Sequence, residues 1–177
     1  LLSLITAPFL ISHNKTFAKW IIPKSWFDIE DIQKPSPGKL FTQDLAKHVI
    51  ICGFGRNGQN IAKLLDDEEI PYIGIDHDPE LVHHCQKVGL PVIYGDSSHY
   101  SILVACKIGK SKAIVVTFED IQNVERILPQ VRTHFEKLPI FVRTHDDASL
   151  EYLQSLGATE VIPATLETSL TLASHVL

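Results

Sequence analysis

The 177-residue sequence contains no methionine, only three cysteines and no block of basic residues. Without a methionine the chain cannot begin at a natural start codon, so we expect a fragment or a processed product. Cys52, Cys85 and Cys106 lack the spacing of a metal-binding motif, and so sparse and odd a number is typical of a reducing compartment. The formal net charge of −5 and the lack of a basic stripe argue against a nucleic-acid partner.

The sequence also lacks an uninterrupted apolar run of about 20 residues, the length that a helix needs to cross a bilayer. Its first twelve residues, LLSLITAPFLIS, are almost wholly apolar or small. A signal peptide is not expected, because no basic segment precedes them and no cleavage signature follows. Either they pack within a soluble protein or they end a transmembrane helix, and the lysines and tryptophans of the following HNKTFAKWIIPKSWF favour the helix. We therefore expect residues 1–22 to be the end of a last transmembrane helix with its membrane-proximal segment.

Residues 23–46 combine Pro23, Pro35 and Pro37 with small and polar residues, which is typical of a linker. In residues 47–177, apolar runs alternate with helical patterns. The predicted strands are HVIIC, YIGI, PVIYG, KAIVVT, PIFVRT and EVI, and the predicted helices between them include QNIAKLLDDE (residues 59–68) and YSILVACKIG (residues 100–109). Wholly apolar strands belong to a sheet covered on both faces, and alternation with helices makes that sheet parallel. We predict an α/β fold with a Rossmann-like doubly wound parallel sheet of about six strands, in an order that the sequence leaves open.

Three glycines follow the first predicted strand with the spacing G-x-G-x-x-G, in VIICGFGRNGQNIA. Gly53 permits a tight turn, Gly55 lets a pyrophosphate approach the backbone, and Gly58 lets a helix pack close to the strand. The free amides at the start of that helix suit a phosphate. Asp76 ends the second strand, where a carboxylate accepts hydrogen bonds from ribose hydroxyls and repels a 2′-phosphate. The pattern predicts NAD or an adenosine nucleotide rather than NADP, and its alternative is a structural turn with a chance acidic residue.

Further candidates follow the other strands, at the carboxyl edge where such sheets bind ligands. Arg56, within the glycine loop, either pairs with a phosphate or is solvated. Asp96 and Ser97 lie near the adenine end of the cleft or cap a helix, and both roles are compatible. Thr117, Phe118 and Glu119 are expected to flank the base or a second ribose. The remaining candidates for nucleotide contacts are Phe54, Asn57, His77 and Arg143, with His145 at the same rim.

We predict neither a metal site nor a catalytic one. His83, His84 and Cys85 are adjacent in a predicted helix and point about 100° apart, so they cannot converge on one ion. Proton-transfer candidates are limited to His145 and Glu119, and few residues follow the sixth strand to form a substrate region. An NAD-dependent oxidoreductase fragment nevertheless remains an alternative.

Four stretches carry a family resemblance: HVIICGFGRNGQNIAKLL, IDHDP, VIYGDSS and VRTHDDASLEYLQSLGATEVIPATLETSLTLASHVL. They resemble the cytoplasmic KTN/RCK (TrkA-N) domain of Kef-type monovalent cation:proton antiporters of the CPA2 family, from about His48 to the last residue. The resemblance implies a dimeric, NAD(H)- or AMP-sensing domain that gates its own K⁺-transporting membrane domain from the cytoplasmic face of the inner membrane. It implies nucleotide contacts at Gly53, Gly55, Arg56, Gly58, Asp76 and Asp96.

Two features refine this resemblance. Gln154 stands where glutathione-gated members carry an arginine, so the resemblance implies the transporter class and leaves open whether glutathione adducts gate it. The final stretch LETSLTLASHVL places Leu166, Leu170 and Leu177 near one helical stripe, which we expect to pack on a partner subunit, or alternatively on its own sheet. A free-standing Trk-type peripheral subunit would share the fold and remains a further alternative.

Overall fold

Parallel strands alternate with helices throughout the part of the chain that the computed structural model describes, residues 45–164. The strands are β1 (Val49–Cys52), β2 (Tyr72–Asp76), β3 (Val92–Tyr94), β4 (Ala113–Val116), β5 (Ile140–Thr144) and β6 (Glu160–Pro163). The helices are α1 (Arg56–Asp67), α2 (Pro79–Lys87), α3 (Tyr100–Ala105), α4 (Ile121–His134) and α5 (Leu150–Ser155). The predicted membrane-proximal segment, nearly all of the linker and the predicted dimerisation stripe lie outside the described residues.

Two predicted helix boundaries differ from the structure. The helix expected to start near Gln59 begins at Arg56, so that Gly58 lies within its first turn. The helix expected over residues 100–109 ends at Ala105, because Lys107 adopts a left-handed backbone conformation and the chain continues as a 3₁₀ turn, Ile108–Lys110. Within residues 45–164, no helix combines the length and the apolar character that crossing a bilayer requires.

The sheet has the order β3-β2-β1-β4-β5-β6, and all its strands are parallel. The chain winds outward from β1 to β3 and then restarts at β4 on the other side of β1. This reversal is the topological switch point at which doubly wound sheets bind ligands. Cys52, the last residue of β1, is in register with Ile75 on one side and Val116 on the other. The loops that follow β1, β2 and β4 therefore meet at one edge of the sheet.

Both faces of the sheet are covered, as the apolar strands predict. Every residue of β1 is buried, and its side chains alternate between two cores. Val49 and Ile51 pack with residues of α1 and α2, among them Ala62, Val82 and Cys85. Ile50 and Cys52 pack in the opposite core with residues of α3, α4 and α5, among them Leu103, Ile127 and Leu153. The fold is the predicted Rossmann-like α/β sheet.

Candidate functional site

A cavity of about 420 Å³ opens at the carboxyl edge of the sheet, at the switch point between β1 and β4. The loops after β3, β2, β1 and β4 all contribute to it. The predicted contacts that line it are Gly53, Gly55, Arg56, Asn57, Asp76, His77, Asp96, Ser97, Thr117 and Phe118. Sequence reasoning missed the other lining residues, which are Ile75, Gly95, Asp120 and Asn123.

The first and third glycines of the loop lie where a side chain would collide with its surroundings. Gly53 has a φ of +90°, and a Cβ there would lie 2.7 Å from Thr117 Oγ1. A Cβ on Gly58 would collide with the carbonyl oxygen of Gly53, so the start of α1 packs directly on the loop. Gly55 is different, because apart from its neighbours in the chain no described atom lies within 4 Å of the position that its Cβ would take. The space above Gly55 is therefore open to a ligand.

Helix α1 begins at this open space with an end suited to an anion. Its N-cap is Gly55, and no side chain among the described residues caps it. The first intrahelical bond runs from the Gln59 amide to the Gly55 carbonyl, so the preceding amides have no partner within the helix. Their aligned dipoles make this end partly positive. Arg56, which is exposed and lines the cavity, adds a full positive charge.

Asp76 lies at the end of β2, where the sheet brings it against the glycine loop. One carboxylate oxygen accepts a hydrogen bond from the Phe54 amide at 2.6 Å, and the other accepts from the Asp78 amide at 2.9 Å. His77 Nδ1 is 3.7 Å from the second oxygen. Each carboxylate oxygen has two lone pairs, so the group retains acceptor capacity toward the cavity. Asp76 therefore supports the loop and also offers acceptors to a ligand.

The β3 side of the cavity is formed by Gly95, Asp96 and Ser97. Partial burial acts to raise the pKa of Asp96, but hydrogen bonds from Ser98 and the proximity of His99 outweigh it and hold that pKa below its ordinary value. The Ser98 amide donates to one carboxylate oxygen at 2.8 Å, and His99 Nδ1 lies 3.2 Å from the other. This carboxylate is therefore ionised at neutral pH.

The β4 side of the cavity is formed by Thr117, Phe118, Asp120 and Asn123. Thr117 Oγ1 donates to the Gly53 carbonyl at 2.7 Å and so joins β4 to the glycine loop. Asp120 caps α4: its carboxylate accepts from the Gln122 amide at 3.0 Å and from Asn123 Nδ2 at 2.9 Å. The signal was present in the sequence, since an aspartate directly before a helix and after a strand end is a cap at the ligand edge.

The other predicted contacts do not line the cavity. Phe54 is completely buried, and its ring packs on Gly74 and stacks with Tyr72 at a centroid distance of 6.2 Å. An apolar ring at this position gains more from the core than from the cleft. Gly58 is buried within α1. These two residues build the framework of the glycine loop, and only the loop's surface faces the cavity.

Glu119 and Arg143 lie in a charged cluster at the rim, which also includes His145 and Asn57. Arg143 Nη1 is 3.5 Å from Glu119 Oε1 and 3.0 Å from His145 Nε2. With its amide oxygen turned toward Arg143, Asn57 accepts from Nε and Nη1 at 3.3 Å. The cluster therefore connects β5 to the first turn of α1, and its charged groups are engaged with one another.

Residues 49–164 match the TrkA-N domain family. The chain belongs to this family. A relative of this TrkA-N chain, the putative K⁺ efflux antiporter KefB of Alkalimonas amylolytica, is 36% identical over 177 residues, which is 100% of the chain and 27% of the relative. The chain thus spans about a quarter of the length of that curated relative.

Two solved structures of related domains are similar to this chain. The Kef C-terminal domain of Shewanella denitrificans, solved in an AMP-bound form, has a TM-score of 0.62 and 25% identity, over 71% of this chain and 75% of that one. The TrkA-N domain of the inner membrane protein ybaL of Escherichia coli has a TM-score of 0.69 and 21% identity, over 76% of this chain and 100% of that one. The second comparison establishes the shared fold.

In this TrkA-N chain, residues 45–164 contain no group of three histidine, cysteine or acidic side chains arranged to hold a metal ion. His83 and His84 are exposed on α2, whereas Cys85 of the same helix is buried in the core. Burial raises the pKa of the Cys52 thiol to about 12, so that thiol, next to Ser97, is protonated at neutral pH. The charged side chains that line the site are Arg56 and three aspartates, accompanied by neutral polar groups such as Asn57, Ser97 and Thr117.

Proposed function

We propose that this TrkA-N domain binds an adenine nucleotide in the cavity and thereby regulates a K⁺ efflux antiporter of which it is part. The observation that carries the proposal is the meeting of two groups at one cavity. The N-terminus of α1 offers unpaired amides to an anion, and Asp76 offers acceptors to ribose hydroxyls. The AMP-bound form of the Kef domain that this chain resembles supports an adenine nucleotide, either AMP or NAD(H).

The strand order supports one orientation of this ligand. Along the edge, the loops follow the order β3, β2, β1 and β4. A ribose at Asp76 therefore places the phosphate at the next loop, above Gly55 and beside Arg56. The base then extends the other way, toward Asp96 and Ser97. The nucleotide contacts proposed on this basis are the lining residues, with Phe54 and Gly58 supporting the loop.

We propose that the nucleotide is a signal and not a reagent. The alternative of an oxidoreductase needs an acid or base positioned beside the substrate. The sequence candidates for that role, His145 and Glu119, contact one another at the rim and do not line the cavity. A regulatory ligand has only to bind two states of the protein with different affinities.

The partner and the location are also proposals. Because the whole chain aligns with about a quarter of the antiporter relative, we place residues 1–22 at the end of its membrane part and the domain on the cytoplasmic face of the inner membrane. We further propose a homodimer through the domain, with the stripe of Leu166, Leu170 and Leu177 as its contact. The free-standing peripheral subunit is the competing arrangement, and the coding sequence upstream of Leu1 decides between them.

Calorimetry with matched nucleotides tests ligand binding. We expect AMP and NAD to bind, 2′-deoxy-AMP and NADP to bind at least about tenfold more weakly, and Asp78→Asn to leave the affinities unchanged. Asp78→Asn is the charge control for substitutions of Asp76, because Asp78 caps α2 beside Asp76 without lining the cavity. Equal affinity for AMP and 2′-deoxy-AMP would count against ribose recognition, and no binding of any adenine nucleotide would end the proposal. Sustained NADH oxidation with carbonyl substrates would favour the oxidoreductase.

A further inference from the structure

Two helices begin at the cavity, and their first turns are capped in opposite ways. Helix α1 has Gly55 at its N-cap and no capping side chain among the described residues. Helix α4 has Asp120 at its N-cap, and this carboxylate accepts the amide hydrogen of Gln122. An anion approaching α1 meets bare amides and Arg56. An anion approaching α4 meets a carboxylate that already occupies the anion position of that helix.

The sheet places these two helix ends in sequence along the cavity. The loop before α1 follows β1, the loop before α4 follows β4, and β1 and β4 are neighbours. A nucleotide with its ribose at Asp76 and its first phosphate at α1 therefore extends toward Asp120 and Asn123. Any group attached beyond that phosphate lies at the β4 end.

The β4 end suits a hydroxyl-bearing group and disfavours a phosphate. Each oxygen of Asp120 already accepts one hydrogen bond and retains a lone pair, so it can accept from a ribose hydroxyl. Phe118 adds an apolar surface beside it. Among the described residues that line the cavity, three carboxylates, those of Asp76, Asp96 and Asp120, accompany one arginine, Arg56. A lengthening phosphate chain adds negative charge where this balance is least favourable.

We propose that Asp120 is a specificity-determining residue, which selects nucleotides by the group attached beyond their first phosphate. AMP, with nothing beyond the first phosphate, and NAD, with a ribose beyond its diphosphate, are accepted. ATP is rejected, and ADP is disfavoured to a smaller extent. The proposal rests on the proposed nucleotide function and adds to it the residue that reads the far end of the ligand.

The test compares AMP, NAD, ADP and ATP by calorimetry on the full 177-residue chain and on Asp120→Asn. Asparagine keeps the helix cap and removes the charge. The buffer contains no divalent cation, because Mg²⁺ would bridge a triphosphate to the carboxylate. We expect the affinity for ATP relative to AMP to rise about five- to tenfold in the variant, which corresponds to one screened like-charge contact near a protein surface.

Two further variants separate a local effect from a general one. Asp78→Asn removes the same charge from the cap of α2, outside the lining, and we expect it to leave the ATP-to-AMP ratio as in the wild type. Asn123→Asp adds a carboxylate at the β4 end and should weaken ATP binding further, whether or not Asp120→Asn folds well. Thermal melting of each variant verifies the fold.

The outcomes are distinct. An unchanged ATP-to-AMP ratio in Asp120→Asn, or an equal rise in Asp78→Asn, overturns the role of Asp120 while nucleotide binding itself stands. Tighter binding of ATP than of AMP by the wild-type chain also overturns it. If the wild-type chain binds none of the four nucleotides, the proposed function fails, and the specificity falls with it.

Discussion

The backbone amide of Phe54 donates a 2.6 Å hydrogen bond to the carboxylate of Asp76, across 22 positions of the sequence. The bond joins the glycine loop to the end of β2, while the ring of Phe54 is buried against Gly74 of the same strand. The residue proposed to bind ribose is therefore also a support of the loop proposed to bind phosphate. Substitutions at Asp76 act on both, and an experiment has to separate the two effects.

Asp76→Ala is expected to weaken AMP binding strongly and to lower the free energy of unfolding by about 1–3 kcal/mol, because the Phe54 and Asp78 amides lose their acceptor. Asp76→Asn retains one acceptor oxygen, so it should lose less stability while still losing affinity. Denaturant unfolding and calorimetry measure the two quantities on the same samples. Asp67→Asn, on the exposed end of α1, is the charge control. Wild-type affinity in Asp76→Ala would contradict the proposed position of the ribose.

Gly55→Ala and Gly58→Ala are expected to affect different properties, the first phosphate binding and the second stability. Gly55 has an ordinary φ of −64°, and open space surrounds the added methyl group, so the melting temperature should barely change while phosphate binding weakens. Gly58→Ala should cost about 1–3 kcal/mol of stability, because its methyl group collides with the Gly53 carbonyl. Differential scanning fluorimetry and AMP titration separate the two. A destabilised Gly55→Ala protein with normal AMP affinity would refute the assignment.

Arg132→Ala is expected to lower stability by about 2–4 kcal/mol without changing AMP affinity. The guanidinium donates to the carbonyls of Gly157 at 2.7 Å and Leu138 at 2.6 Å, and to Thr159 Oγ1 at 3.0 Å. It thus joins the end of α4 to the segments that precede β5 and β6, at the edge of the sheet opposite the cavity. Arg126→Ala, at an exposed position of the same helix, serves as the control and should be nearly neutral. Equal losses in both variants would show that helix charge, rather than this network, matters.

His48 is expected to make the domain sensitive to mild acid. Its side chain is fully buried, and its Nε2 lies 2.8 Å from the Cys106 carbonyl. Burial, with help from Lys107, lowers the pKa of His48 despite the opposing hydrogen bond to Cys106. Protonation therefore costs more in the folded than in the unfolded state. The contribution of His48 to stability is complete above its unfolded pKa of about 6.5 and declines as the pH falls below that value, by at most about 1.4 kcal/mol per pH unit.

Urea unfolding between about pH 5 and pH 7.5 checks this dependence across the unfolded pKa of histidine. His48→Gln keeps a donor for the Cys106 carbonyl and removes the titration, so its stability should vary less with pH than that of the wild type. His83→Gln, at an exposed position of α2, should leave the wild-type dependence in place. The same slope in wild type and His48→Gln would assign the acid sensitivity to other groups.

Local patterns were sufficient to predict the elements. Each of the six described strands lies within about one residue of its predicted run, because an uninterrupted apolar run between turn residues is an unambiguous pattern for a strand covered on both faces. The glycine loop was equally predictable from its motif: a Cβ on Gly58 would meet Gly53 of the same loop, although a Cβ on Gly53 would meet Thr117 after β4. Helix ends were less predictable from the sequence: α1 begins at Arg56, three residues before its expected start at Gln59.

The composition of the cavity was only partly predictable. Asp120 and Asn123 follow β4 closely enough to be candidates, but only the position of α4 brings them to the lining. Phe54 was predicted as a ligand contact from its place in the motif, and the structure places its ring in the core, against Gly74 and stacked with Tyr72. Arg143 and Glu119 were predicted as nucleotide contacts, and the structure places them in contact with one another beside Asn57, outside the lining of the cavity.

By itself, the sequence determined which segments form strands and helices, where the glycine loop lies and which family the chain resembles, because those properties depend on neighbours within one or two turns of chain. Only the tertiary structure decided the order β3-β2-β1-β4-β5-β6, and with it which loops share a cavity. Strand order is set by the packing of helices from distant parts of the chain on two faces of one sheet, and no local pattern encodes it. The opposite caps of α1 and α4 became a single feature of the site only because β1 and β4 are neighbours.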